Sequence, residues 1–178
     1  MRRKTIHHTV AETSYGPIRL AASEKGVCWL SFDTRFGAMR ERLGNGWWVE
    51  NGEIATGLLY PVRMAMRDPH AGHSIPLDLE GTPFQLKVWD LLRAIPVGQT
   101  RSYGDLARQL GSPGASRAVG AANGQNPVAV LVPCHRVIAA DGTLGGYAGG
   151  LPLKQRLLEA EGAPFANEPR QASLFADL

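Results

Sequence analysis

The segment Val128-Ala129-Val130-Leu131-Val132-Pro133-Cys134-His135-Arg136 joins a short apolar run to a cysteine and a histidine. The run is rich in β-branched residues and predicts a buried strand. Cys134 follows this strand and lies beside His135, which is where a catalytic thiol is expected. A buried cysteine is also often inert packing, so both interpretations stay open at this point.

The bulk properties are those of a water-soluble globular protein. The chain has 178 residues, of which 44% are hydrophobic and 20% charged, enough for one domain or two small ones. It has no apolar stretch long enough to cross a bilayer and no signal-peptide segment. Its two cysteines form no disulfide framework, and Cys28 with the histidines has no zinc-site spacing. We therefore expect a cytoplasmic monomer with no metal and no other cofactor.

The charge is mildly basic and unevenly distributed. The net charge is +3 and the sequence pI is about 9.1, which alone is weak support for a nucleic-acid partner. The segment 101–136 contains one acid, Asp105, and four arginines: Arg101, Arg108, Arg117 and Arg136. This excess predicts either a DNA-facing surface or a solvated basic face.

The first 78 residues have the pattern of a small α/β unit. Alternating residues predict a strand over 18–22, and a turn at Glu24-Lys25-Gly26 leads to a hairpin partner over 27–32. Helices are predicted over 35–43 and 54–67, the second interrupted at Pro61. The loop 68–73 is the predicted boundary of this unit.

The second half predicts several short helices. Thr82-Pro83-Phe84-Gln85 has the capping-box pattern, with proline at the first helical position. Ser102 is the expected cap of a helix over 103–110, and a third helix is expected from Ser112 to about 124. Two short helices joined by a tight turn are typical of a helix-turn-helix. A glycine-rich loop over 145–150 and a helix from Pro152 to Gly162 follow.

Glu161 is expected on the apolar stripe of this last helix, which carries Leu153, Leu157 and Leu158. A carboxylate on a buried face needs a partner, and His135 is the natural candidate, although a position at the helix end would leave Glu161 at the rim. Cysteine, histidine and carboxylate then form a relay that withdraws the thiol proton and lowers the thiol pKa. Such a relay also suits a hydrolase. Combined with a helix-turn-helix, it indicates thiol chemistry on a base flipped out of DNA.

The segment from about 79 to 162 resembles the catalytic domain of O6-alkylguanine-DNA alkyltransferases. The matching motifs are Gly81-Thr82-Pro83-Phe84-Gln85, Val88-Trp89, Ser102-Tyr103-Gly104, Ser116-Arg117-Ala118-Val119-Gly120, Asn123-Gly124-Gln125-Asn126-Pro127, Pro133-Cys134-His135-Arg136-Val137 and Gly146-Tyr147-Ala148-Gly149-Gly150. Residues 1–78 resemble the family's RNase H-like domain only in outline. The expected fold is therefore α/β (α+β): an N-terminal RNase H-like domain (1–78), a mostly helical DNA-binding and alkyl-transfer domain (79–165) and a tail (166–178).

The resemblance also implies catalytic roles. Cys134 accepts the alkyl group, and His135 acts through a bound water as the base that generates the thiolate. Glu161 orients His135. Tyr103 donates a hydrogen bond to the base ring and helps to turn the flanking phosphate during flipping.

DNA-binding and pocket residues follow from the same resemblance. The implied DNA contacts are Ser102, Arg117, Ala118 and Arg136, and Arg117 replaces the flipped nucleotide in the stack from a helix that lies in the minor groove. In the implied pocket, Asn126 is a hinge between the recognition helix and the cysteine strand. The carbonyls of Cys134 and Val137 recognise the exocyclic amine of guanine, and Tyr147 and the backbone of Ala148 contact the guanine oxygen. Alanine at position 148 departs from the serine of some family members.

The implied activity is suicide DNA repair. The alkyl group of O6-alkylguanine, and also of O4-alkylthymine, moves irreversibly to Cys134 of a DNA methyltransferase that acts once. We expect double-stranded DNA as the partner and no membrane. The alternative is a lesion-binding module without transfer, as in relatives that have tryptophan in place of the reactive cysteine; a transcription regulator and a cysteine hydrolase are the other classes left open.

Overall fold

The computed structural model describes residues 4–166, except for the side chains of residues 72 and 73. A four-stranded sheet in the order β3-β2-β1-β4 organises the first half. Its elements are β1 (Thr5–Thr13), β2 (Gly16–Ser23), β3 (Gly26–Ser31), α1 (Phe36–Leu43), β4 (Trp47–Glu50), α2 (Glu53–Gly57) and α3 (Leu59–Arg67). The predicted hairpin is confirmed as β2 and β3, whereas β1 and β4 were not predicted.

The sheet is mixed, since β1 to β3 form an antiparallel meander and β4 runs parallel to β1. Gly26 at the β2–β3 turn has a φ of +140°, and a Cβ there would lie 2.3 Å from the carbonyl oxygen of Pro76. Only glycine permits both this backbone conformation and this close approach. The turn therefore fixes the edge of the sheet against the segment that leads to the second half.

The helix predicted over 54–67 is divided, but at Leu58 and not at Pro61. Pro61 is the third residue of α3, where a backbone N–H would have no partner inside the helix in any case. The proline is therefore tolerated in the first turn of α3. The correction concerns the position of the break and leaves both helical segments in place.

The second half contains α4 (Pro83–Arg93), β5 (Arg101–Ser102), α5 (Tyr103–Gln109), α6 (Ser116–Gly124), β6 (Val137–Ile138) and α7 (Leu151–Ala160). Both predicted caps are confirmed. Thr82 Oγ1 accepts from the amide of Gln85, and the Ser102 hydroxyl accepts from the amide of Asp105. The third helix starts later than expected, because residues 113–115 form a 3₁₀ turn before α6. Helices α5 and α6 with this turn make the predicted helix-turn-helix.

The prediction of a strand over 128–132 is wrong. Val130 has a φ of +69°, which is incompatible with an extended strand. Only single bridges remain: Val128 pairs with Leu30, and Ala129 pairs with Val132. The run is apolar because Val128 and Val132 fill the core, and a looped segment satisfies that requirement as well as a strand does.

One cluster of buried side chains contains residues from both halves of the chain. Leu20 and Leu30 of the sheet belong to it together with Trp89 of α4, Leu106 of α5 and Val119 of α6. Trp89 also donates from Nε1 to the carbonyl of Ala122 at 2.9 Å, which ties α4 to α6. Each such side chain contributes about 1.5–3 kcal/mol on burial. The division at residue 78 stays a prediction.

No helix within residues 4–166 has the length and apolarity that a bilayer crossing requires.

Candidate active site

Cys134 begins a three-residue 3₁₀ turn, Cys134–Arg136, and is 6% exposed. A cleft of about 940 Å³ opens beside it. The sheet, the end of α6 and the glycine-rich loop all line this cleft, with Trp29, Phe32, Tyr103, Asn123, Asn126 and Tyr147 among the residues. The thiol is thus a largely buried group at the wall of the cleft.

His135 and Glu161 form the predicted pair. His135 is fully buried, and its Nε2 lies 3.0 Å from Oε1 of Glu161 at the end of α7. Burial raises the pKa of the Glu161 carboxyl, but the hydrogen bonds from His135 and Arg136 outweigh burial and bring this pKa to about 2. The carboxylate is therefore ionised and accepts the proton of Nε2, which leaves Nδ1 as the basic nitrogen of the ring.

The chemical state of His135 suits a proton acceptor. Burial lowers the pKa of the ring, so that the imidazole is neutral near pH 7. Within residues 4–166, Nδ1 has no hydrogen-bond partner. A neutral ring with one nitrogen held by a carboxylate and the other available is the arrangement that general-base catalysis requires.

The Arg136 side chain is buried, although it was predicted to contact DNA. Its side chain is 4% exposed and donates to both oxygens of Glu161, each at 2.8 Å, and to the carbonyl of Ile95 at 2.6 Å. The structure therefore places Arg136 in the interior and not at a DNA-facing surface. The guanidinium joins the 3₁₀ turn to the ends of α4 and α7 and keeps the Glu161 carboxylate charged.

The thiol itself rests in the protonated form. Burial raises the pKa of Cys134, and Asn126, Lys154 and Tyr147 act in the opposite direction without cancelling that effect. The neighbouring imidazole was predicted to lower this pKa, and that prediction is wrong for the resting thiol, whose pKa is raised. A protonated resting thiol makes a nearby base necessary for nucleophilic attack.

Asn126 closes the loop that leads to the cysteine. Its Nδ2 donates to the carbonyl of Val132 at 2.8 Å, and its Oδ1 accepts from the amide of Val128 at 3.0 Å. The side chain thus replaces the strand ladder that the sequence predicted for this segment. Asn126 thus connects the end of α6 to the segment that carries Cys134.

Tyr103 and Tyr147 line the same cleft as Cys134. Gly120 of α6 and Gly145 of the glycine-rich loop lie against the Tyr103 ring, and a Cβ at either would come within 3.7 Å of it. The hydroxyl of Tyr147 is buried and has no nitrogen or oxygen partner within residues 4–166. Burial and the neighbouring Cys134 raise the pKa of both phenols, which therefore stay protonated as hydrogen-bond donors.

The remaining predicted site residues lie as follows. Arg117 and Ala118 are exposed on α6, and Ala148 is exposed in the glycine-rich loop. Ser102 is partly buried and caps α5, so its hydroxyl already bonds Asp105. Val137 is buried in β6 and its carbonyl accepts from the Lys154 ammonium at 2.5 Å. The Cys134 carbonyl accepts from Nδ2 of Asn123 at 3.4 Å.

Two residues of the site were not predicted, Asn123 and Lys154. Lys154 is fully buried, and the helical period could have found it, because Lys154, Leu158 and Glu161 share one face of α7. Asn123 is 5% exposed at the end of α6 and lines the cleft. Within residues 4–166, no group of three or more side chains suited to holding a metal occurs.

Comparison with known proteins identifies similar chains. Residues 83–163 match the family model described as 6-O-methylguanine DNA methyltransferase, DNA binding domain. A methylated-DNA–protein-cysteine methyltransferase of Methanosarcina acetivorans is 41% identical over 89% of this chain and 99% of its own length. Its counterpart in Mycobacterium bovis is 61% identical over 88% of this chain and 92% of its own. The crystal structure of Mycobacterium tuberculosis OGT in complex with DNA matches with a TM-score of 0.74 and 39% identity, over 89% of this chain and 95% of that one.

Proposed function

This chain belongs to the family of methylated-DNA–protein-cysteine methyltransferases, and from that premise we propose that it repairs DNA by taking the alkyl group of O6-alkylguanine onto its own Cys134. The observation that carries the assignment to Cys134 is the buried thiol at a cleft of about 940 Å³, followed in sequence by a neutral His135 whose Nε2 is held by Glu161. A large cleft accommodates a purine, and the relay supplies the base.

The proton moves first. Nδ1 of His135 takes the Cys134 proton through a bridging water, while the Glu161 carboxylate stabilises the imidazolium that forms. Arg136 keeps this carboxylate ionised and fixed. The thiolate that results is the nucleophile.

The alkyl group moves next. The sulfur electron pair forms a bond to the alkyl carbon, and the bond from that carbon to O6 breaks with its electron pair left on guanine. Guanine then takes up a proton at its ring nitrogen, so that over the whole reaction the thiol proton replaces the alkyl group. The thioether has no good leaving group, and each protein molecule therefore repairs one lesion.

Several residues around the cleft have roles in flipping the damaged base. In this proposal Arg117, which is exposed on α6, enters the base stack where the flipped nucleotide leaves it. The Tyr103 ring packs between α6 and the glycine-rich loop. In this position its hydroxyl donates a hydrogen bond to the flipped base. Tyr147 and the Ala148 backbone close the pocket, and Ala118 and Ser102 lie along the DNA-facing side of α5 and α6.

Further properties belong to the same proposal. The protein acts as a cytoplasmic monomer on double-stranded DNA, repairs O4-alkylthymine as well, and divides functionally near residue 78. Two free cysteines, Cys28 and Cys134, suit a reducing compartment. The cysteine at position 134 separates this chain from relatives that bind lesions without transfer.

The test is intact-mass measurement after incubation with a duplex containing one O6-methylguanine. We expect one methyl group per protein molecule, located at Cys134 by peptide mapping, and no second addition with excess duplex. The same duplex with unmodified guanine is the control. Tight binding without a mass change would establish the lesion-binding alternative instead.

A further inference from the structure

Lys154 is a fully buried lysine next to the proposed site. Its Nζ donates to the carbonyls of Val137 at 2.5 Å and Gly146 at 3.3 Å, and also to the carbonyl of Leu144. No carboxylate within residues 4–166 forms an ion pair with it. An ammonium group has three N–H donors, and here each one has an acceptor.

This arrangement is costly for a residue that served packing alone. Burying an ammonium group without a counter-ion is strongly unfavourable, and the polar contacts only partly compensate for the lost hydration. A methionine would fill the same space without that penalty. The charge and the three donors are therefore the properties that need an explanation.

The three carbonyls belong to two separate segments of the chain. Val137 directly follows the 3₁₀ turn that carries Cys134 and His135. Leu144 and Gly146 belong to the loop that continues into Tyr147, which lines the cleft. A single ammonium group thus holds the glycine-rich loop against the strand that follows the reactive thiol.

We propose that Lys154 is a positioning residue for alkyl transfer: its ammonium group fixes the glycine-rich loop against β6 and its positive charge favours the Cys134 thiolate. This inference rests on the proposed function for its chemical step. The structural half of it, the attachment of the loop, is independent of that function.

The electrostatic coupling to Cys134 supports the second half. Burial lowers the pKa of Lys154 to about 8, and the Cys134 thiolate opposes that shift. In return, the Lys154 charge lowers the pKa of Cys134 and also that of His135. Tyr147 from the loop and the Arg136–Glu161 pair from the helix end are the other titratable or charged groups around this part of the site.

The sign of the pH dependence follows. Below about pH 8 Lys154 keeps three donors and its charge; above that pH the amine loses one donor and the charge. The advantage of the wild type over Lys154→Met must therefore shrink as the pH rises through this value. A side chain that only filled space would give a ratio of rates that does not depend on pH.

The first experiment measures single-turnover alkyl transfer from a duplex containing O6-methylguanine between pH 7 and pH 9.5. Because hydrogen bonds to charged groups are strong, we expect Lys154→Met to be roughly tenfold to hundredfold slower at pH 7, with the ratio narrowing above pH 8. Lys154→Arg keeps the charge and should recover part of the rate. The matched control is Lys87→Met at an exposed lysine of α4, which should match the wild type.

Binding of undamaged duplex should be the same for Lys154→Met and the wild type, because Arg117 and α6 are untouched. A Lys154→Met protein that transfers at the wild-type rate, or more slowly by a factor independent of pH, overturns the inference and leaves the proposed function standing. Absence of transfer by the wild type would instead refute the proposed function.

A second measurement needs no variant. Amide hydrogen exchange over residues 145–150 of the wild type, corrected for its intrinsic pH dependence, should accelerate as the pH rises through about 8, while exchange in β1 should not. Exchange that keeps the same corrected rate in both segments contradicts the attachment of the loop by the ammonium group.

Discussion

Cys28 and Cys134 are both buried thiols, at 2% and 6% exposure, but their surroundings differ. Cys28 in β3 packs among Ile6, Ala21 and Met39, and its pKa is raised to about 12, chiefly by burial. Burial raises the pKa of Cys134 as well, but Asn126, Lys154 and Tyr147 oppose the shift. Lys4 also lowers the pKa of Cys28, so neither depth nor a nearby cation distinguishes the two thiols. Cys134 differs in bordering the cleft and in being followed by His135.

The largest expected effect separates the two cysteines directly. Cys134→Ala should abolish methyl transfer completely, because no other thiol in residues 4–166 borders the cleft. Cys28→Ala should transfer one methyl group per molecule, as the wild type does. Intact mass after exposure to methylated duplex measures both, and a methyl group on Cys28 of the Cys134→Ala protein would remove the basis of the comparison.

Buried Arg136 and exposed Arg117 give a second comparison, between two cations. Arg136→Ala should lower the free energy of unfolding by about 3–5 kcal/mol, because the Glu161 carboxylate loses its buried partner. Arg117→Ala at an exposed position should change it by less than about 0.5 kcal/mol, while slowing transfer from duplex DNA. Urea unfolding measures the first effect, and single-turnover rates with a duplex and with free O6-benzylguanine measure the second. An equal loss of stability in both variants would show that Arg136 is not a structural clamp.

The base beside Cys134 is the next difference from Cys28. Glu161→Gln should slow methyl transfer about 10²-fold, since the amide no longer stabilises the imidazolium. It should also slow alkylation of Cys134 by iodoacetamide without DNA, whereas the rate for Cys28 should not change. Glu159→Gln, an exposed residue of α7 bonded to Gln155, is the control and should behave as the wild type.

The smallest effect concerns stability in acid. The pKa of Glu161 is held near 2 in the folded protein, below its value of 4.5 in an unfolded chain, so its contribution is present above pH 4.5 and is lost as the pH falls. Between pH 5 and pH 3 the wild type should lose about 2 kcal/mol more than Glu161→Gln. Urea unfolding at both pH values measures this difference. Equal losses in the two proteins would place the Glu161 carboxylate in water rather than in the relay.

Sequence patterns that span only a few residues predicted the helix caps correctly. Each of the caps at Thr82 and Ser102 depends on a residue three positions further along the chain, and both caps lie where the sequence predicts them. The prediction of a strand over 128–132 was wrong because an apolar run indicates burial but not backbone conformation. The conformation depends on hydrogen-bond partners, and here the backbone of 128–129 bonds to Leu30 and to the Asn126 side chain. Those partners are distant in sequence or are side chains, so no local pattern records them.

The contact between His135 and Glu161 was predicted from the sequence, whereas the buried positions of Arg136 and Lys154 were not. The motif around Cys134 and the stripe that carries Glu161 led to the relay. Arg136 was expected to contact DNA and Lys154 was given no role, but both side chains are buried. Both cations are buried because tertiary acceptors at Ile95, Val137 and Leu144 surround them, and those acceptors are set by the fold.

The enclosed position of Cys134 has a consequence for chemoselectivity in the cell. A thiol that is protonated at rest and 6% exposed reacts slowly with oxidants, disulfides and soluble electrophiles that diffuse past it. An extrahelical base held in the cleft beside the relay encounters the activated sulfur. On the proposed function, burial thus favours reaction of the sulfur with damaged nucleotides over reaction with small reagents.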